Sequence, residues 1–146
     1  MPQFPQSMRR TAVLVAITTI LPSACAAPAD KTIEVGKQIY ADRCATCHGV
    51  NLAGQPDWRT PLPNGRLPAP PHDASGHTWH HSDAQLFRIT RDGLAAIVPG
   101  YESDMPAFAG VLSDKEIRAV LDYIKSTWPQ QEREYQRERS RADTES

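Results

Sequence analysis

The sequence predicts a small all-α domain, about three main helices joined by long loops, and three observations lead there. Apolar residues recur at helical spacing in two stretches: Ile33, Gly36, Ile39 and Tyr40, then Ile117, Val120, Leu121, Ile124 and Trp128. Two Ser-x-x-Gln/Glu signatures, Ser82 with Gln85 and Ser113 with Glu116, are capping boxes that open helices. The 146 residues are enough for one domain at ~100–200 residues each, yet the region between the first and second helices is rich in proline and has no sustained period. A loop of that length inside a compact domain needs something to wrap.

The elements follow in chain order. Arg9 and Arg10 precede an apolar run over residues 11–21, followed by Pro22, Ser23 and small residues. That is the pattern of a secretory signal peptide, assigned to residues 1–26, with Ala24-Cys25-Ala26 as the small-residue cut. A competing reading takes Leu21-Pro22-Ser23-Ala24-Cys25 as a lipobox whose cysteine is acylated and tethers the protein to a membrane surface. Its leucine stands one place too far upstream. Removing residues 1–26 leaves 14 basic against 17 acidic residues, a mildly acidic mature chain. Such a balance offers no basic surface for a phosphate backbone, so nucleic acid is not an expected partner. No stretch reaches the ~18–20 apolar residues of a bilayer-spanning helix.

The folded domain is placed at residues 27–129. Its first helix runs from residue 30 or 32 to about Arg43 and enters Cys44 directly. The second starts at Ser82, carries Leu86, Phe87 and Ile89, and closes at Gly93. The third starts at Ser113 and stops before Pro129. Residues 130–146 are nearly half charged, with Tyr135 as the one large apolar side chain, and read as a flexible tail, a frayed helix or disorder.

Cys44-Ala45-Thr46-Cys47-His48 carries the chemistry. C-x-x-C-H is the arrangement of covalent c-type haem attachment. Two thiols three residues apart at a helix end can each bond one vinyl group of the porphyrin, while the adjacent imidazole is brought to the iron. Three other chemistries compete. A thioredoxin-like redox pair belongs in a βαβ context. A zinc site needs two further ligands, for which His72, His77, His80 and His81 are available. A structural disulfide leaves His48 unexplained and closes too short a loop to add much.

A six-coordinate iron needs a second axial ligand. Met1 and Met8 lie in the leader, so Met105 is the one methionine of the mature chain, in a loop and followed by Pro106, which restrains it. The alternatives are that Met105 fills a gap in the core, or that one of the loop histidines takes its place.

On these residues the chain resembles the class I monohaem cytochromes c over about residues 32–129. Carrying the resemblance are Cys44-Ala45-Thr46-Cys47-His48-Gly49, the proline-rich loop, Met105-Pro106-Ala107-Phe108, and Leu112-Ser113-Asp114-Lys115-Glu116-Ile117 opening the last helix. The resemblance implies one haem c bound through Cys44 and Cys47, with His48 and Met105 as axial ligands. It implies that the first and last helices cross closely, Gly36 and Tyr40 meeting Tyr123 or Ile124. It also implies a proline carbonyl, from Pro70 or Pro71, accepting the imidazole proton of His48 and so orienting it. Trp58, Trp79 and Arg66 are its candidates for the haem pocket and propionates. His72, His77, His80 and His81 depart from the family's barest form; they read as solvated or locally bonded, as a docking edge, or as a copper or zinc site.

Two strong axial ligands leave no open iron position, so the expected function is periplasmic one-electron transfer, with transient redox donors and acceptors and no catalysis of its own. Two alternatives stand beside it. One is the haem subunit of a dehydrogenase or oxidase complex; the other is a peroxidase-like or gas-binding protein in which Met105 dissociates.

Overall fold

The computed structural model describes Met1 and residues 28–145. Apart from Met1, the leader and the two readings of Cys25 lie outside the described residues. Among these residues five α-helices form: α1 Pro28–Arg43, α2 Ala45–His48, α3 Asp83–Asp92, α4 Asp114–Ser126 and α5 Gln130–Glu145. Short 3-10 turns occupy Thr78–His80 and Leu94–Ala96. Among the described residues no strand forms, and the β-type pairing is one isolated bridge between Ala109 and Leu112.

The all-α expectation holds, and the α1–α4 crossing is its centre. Gly36 makes the crossing close: a Cβ there would lie 2.0 Å from the carbonyl oxygen of Ala119 and 2.9 Å from the Cβ of Tyr123. One turn on, the Tyr40 ring tilts against that of Tyr123 at 5.5 Å. The α4 stripe of Ile117, Val120, Leu121 and Ile124 is buried, and Trp128 beyond it is 1% exposed. Together with Tyr40, Ala45, Leu52 and Leu86 these residues form one continuous core.

Both capping boxes are present. The Gln85 N–H donates to Ser82 Oγ at 3.2 Å, the Glu116 N–H donates to Ser113 Oγ at 3.3 Å, and each partner side chain accepts in return from its serine's N–H. Gly93 closes α3 at φ 87°.

The charged tail requires a correction. Residues 130–145 are not a loose appendage but a sixteen-residue helix docked on the Thr78–His80 turn and on α3. Pro129 both ends the preceding run and starts α5, since its carbonyl accepts the Arg133 N–H at 3.2 Å. Hydrophobic content was a poor guide because the docking is polar. Gln136 is 2% exposed, and its Nε2 lies 2.9 Å from Asp83 Oδ1, 3.0 Å from Ser140 Oγ and 3.3 Å from the His81 carbonyl. Ser82 Oγ donates to Asp143 at 2.5 Å, and the Asp83 N–H donates to Ser140 Oγ at 2.9 Å. Tyr135 adds edge contacts to Trp79 and His80. No helix among the described residues is long and apolar enough to cross a membrane.

Candidate haem site

The end of α1 delivers the site. The Cys44 N–H still donates to the Tyr40 carbonyl at 2.9 Å, and after a short irregularity α2 brings the His48 N–H to the Cys44 carbonyl at 2.9 Å. Cys44 and Cys47 thus leave one helical end as free thiols, Cys44 half-buried and Cys47 exposed. Burial, reinforced by Cys47, pushes the Cys44 thiol up to about 11. A redox-active pair needs the opposite, a stabilised thiolate.

His48 is buried, and its Nδ1 lies 2.8 Å from the Pro70 carbonyl oxygen. A carbonyl can only accept, so Nδ1 carries the proton and Nε2 keeps its lone pair. That is the tautomer a metal needs. Burial lowers the pKa of this imidazole, an effect partly offset by the Pro70 bond, so the neutral form is favoured.

The loop is folded to put that carbonyl in place. The Gly54 N–H donates to the His48 carbonyl at 2.8 Å, the Gln55 N–H to the Ala69 carbonyl at 2.9 Å, and the His72 N–H to the Leu52 carbonyl at 2.7 Å. Gly54, at φ 67°, allows the approach: a Cβ would stand 2.5 Å from the Pro71 nitrogen. The Tyr40 hydroxyl ties α1 to the same corner, donating to the Gly49 carbonyl at 2.9 Å with the His48 carbonyl at 3.3 Å. Its pKa is raised by burial and by Cys44, Tyr123 and Asp73.

No motif or spacing foretells what lies behind His48. The His72 ring stacks on the His48 ring, centroids 3.9 Å apart and planes 23° from parallel. Its Nδ1 is 2.9 Å from Thr78 Oγ1, and its carbonyl accepts the Trp128 indole N–H at 2.7 Å. Burial, then His48 and His77, holds its pKa well below the usual histidine range. A ring lying against His48 shares its side, so His72 as placed cannot serve as the opposing ligand.

The other loop histidines are engaged by rings of the chain. His77 stacks on Trp58 at 5.3 Å, with the Arg59 guanidinium 4.3 Å from the Trp58 ring centroid. His80 stacks on Trp79 at 3.7 Å, and His81 Nδ1 is 3.3 Å from Gln85 Oε1. The Trp79 indole N–H donates to the Ala74 carbonyl at 3.3 Å. Trp58 thus packs on the histidine loop, and Trp79 both braces that loop and meets Tyr135 of α5. No group of three or more His, Cys, Asp or Glu gathers at metal-holding distance among the described residues.

Met105 sits half-buried in the loop between the Leu94–Ala96 turn and α4, its N–H donating to Ser103 Oγ at 3.1 Å. Downstream, the Phe108 N–H donates to the Thr90 carbonyl at 3.1 Å and the Ala109 N–H to the Arg91 carbonyl at 2.8 Å, fixing the loop's end to α3. The Arg66 guanidinium pairs with Asp104 and, at 3.5 Å, with Glu102.

Two unbridged thiols three residues apart, beside an imidazole of fixed tautomer with an open nitrogen, fit a porphyrin attached through two sulfurs. The comparisons agree. The sequence profile of cytochrome c matches residues 33–128. The chain is similar to the cbb3-type cytochrome c oxidase subunit FixP of Azorhizobium caulinodans, 28% identical over 92 residues, covering 62% of this chain and 28% of that protein. It is also similar to the subunit of that name from Sinorhizobium medicae, 37% identical over 57 residues, covering 39% of this chain and 18% of that protein. The chain thus spans less than a third of the length of these curated relatives. No solved structure matches it. A profile match over most of the described residues, the thiol–imidazole corner among them, shows that this chain belongs to the cytochrome c family.

Proposed function

We propose that this protein is a periplasmic one-electron carrier whose haem c, attached through Cys44 and Cys47, is ligated by His48 and Met105. Haem attachment and electron transfer come with the family; the compartment and the ligand pair are the proposal. When bound, haem c supplies an Fe(III)/Fe(II) couple, which a His/Met pair biases towards the reduced form relative to two histidines. The observation that carries the reading is the 2.8 Å contact from His48 Nδ1 to the Pro70 carbonyl beside the two free thiols.

This chain's residues do three things for such a group. Cys44 and Cys47 hold it; Pro70, with His72 behind, orients the imidazole; and the Met105 loop, tied down on both sides, offers a neutral thioether donor. Little has to rearrange when the charge changes, which favours fast exchange with weak, transient partners. Pyridine-haemochrome spectra and the intact mass of the exported protein test the attachment and the leader cleavage together. The ferric iron–thioether charge-transfer band tests Met105. Carbon monoxide binding by the ferrous form at neutral pH would instead favour the gas-binding alternative. A second reading, a haem subunit of an oxidase complex, draws on the FixP similarity; co-purification with an oxidase from membranes would support it.

A further inference from the structure

Arg66 belongs to a tight, self-bonded turn. The Gly65 N–H donates to the Leu62 carbonyl and the Leu62 N–H to the Arg66 carbonyl, each at 2.8 Å, while the Arg66 N–H donates to Asn64 Oδ1 at 3.0 Å. The turn fixes the backbone from which the guanidinium reaches out 38 residues along the chain, Nη1 to Asp104 and Nη2 to Glu102 at 3.5 Å. Asp104 immediately precedes Met105, and Ser103 accepts the Met105 N–H. Beyond Met105 the chain is held by backbone bonds from Phe108 and Ala109 to α3. Met105 is therefore suspended between an ionic anchor on one side and a backbone anchor on the other. Four residues after Arg66, the same stretch supplies the Pro70 carbonyl to His48.

We propose that Arg66 is a positioning residue for Met105: its pairing with Glu102 and Asp104 clasps the methionine loop to the loop that orients His48, and thereby holds the thioether in its ligating place. The proposal rests on Met105 being the sixth ligand. A planar guanidinium engaging two carboxylates suits this better than an ammonium, because both contacts fix one orientation of the loop. The ion pairs are solvent-exposed, with Arg66's side chain 36% accessible, so the clasp is of modest strength and responds to salt.

The test uses the exported haem-containing protein in the ferric state. Imidazole is titrated as a competing ligand at low and high salt, and the iron–thioether band is recorded alongside. Arg66→Gln is expected to weaken the band and tighten imidazole binding by about threefold to tenfold, the worth of one or two exposed pairs. High salt should narrow the gap between the native protein and the variant. The pair Glu102→Gln with Asp104→Asn should reproduce the effect, and the exchange Arg66→Asp with Asp104→Arg should restore most of the native affinity. An Arg66 acting on a cofactor carboxylate instead would give an effect in Arg66→Gln and none in the two acid variants, which overturns the clasp. So does an Arg66→Gln protein that keeps its band and binds imidazole no more tightly. A native protein without the band overturns the Met105 reading and the clasp together, which separates the two failures.

Discussion

Gly36 and Trp128 show how single atoms set this molecule's tolerances. Any side chain at position 36 drives into the Ala119 carbonyl, so Gly36→Ala must push α1 off α4. A loss of about 1–3 kcal/mol or more is expected, read as a shift of the denaturant midpoint at constant slope. Trp128→Phe keeps most of the ring but removes the donor to the buried side of the loop, leaving the His72 carbonyl unpaired. About 1–2 kcal/mol should be lost, with a change in the His48 imidazole resonances because His72 backs that ring. An unchanged midpoint would show that another donor replaces the indole. At this scale the sequence is legible where chemistry is local: five consecutive residues spell out the attachment motif. The His72–His48 stack joins residues 24 apart through a loop whose path depends on Gly54 and on several backbone bonds, and no spacing rule encodes such a path.

The helices divide by what holds them. α1, α3 and α4 were readable because apolar period and capping serines agree with the fold, the local consistency expected of a sequence that specifies one structure. Ser113→Ala should cost about 1 kcal/mol, measured by thermal or chemical melting, since the Glu116 N–H loses its acceptor. α5 was not readable, because its anchor is a buried glutamine and two serines rather than an apolar stripe. Gln136→Ala should cost about 1–3 kcal/mol and raise protease sensitivity after residue 129, whereas a tail already loose in the native protein would be cut equally in both. This junction also gives the fold an acid sensitivity. Burial alone would raise the Asp83 carboxyl, but Lys125, with Gln136 and Ser140, outweighs it and holds the pKa below the ordinary value. Its stabilisation is therefore complete above the unfolded-chain pKa of ~3.9 and fades as pH falls through the folded value. Asp83→Asn should melt lower at neutral pH and lose less on acidification than the native protein. Because the Asp83 side chain is 54% exposed, the difference will be small.

For the molecule as a whole, about a hundred residues without a strand among those described must assemble a core in which a long proline-rich loop has no partner layer of its own. The core draws one buried side chain, Leu52, from that loop, the others coming from the helices and their ends, so the loop adds little apolar burial of its own. The double variant Cys44→Ala with Cys47→Ala should accordingly lose the cooperative melting transition in the circular dichroism of the exported protein. A sharp transition at the native temperature would mean that polypeptide contacts alone suffice. The loop's irregularity was legible in its composition; its fastening through Trp128, just beyond α4, was not, because that contact spans 56 residues.

Trp128 stands one residue before Pro129, whose carbonyl starts α5, and its indole grips the carbonyl of the ring that backs His48. Anyone immobilising this protein on an electrode through its C-terminal end would be wise to graft the linker beyond residue 145. Cutting back to residue 129 would bring the surface attachment within two residues of the pin that steadies the ring stacked on His48.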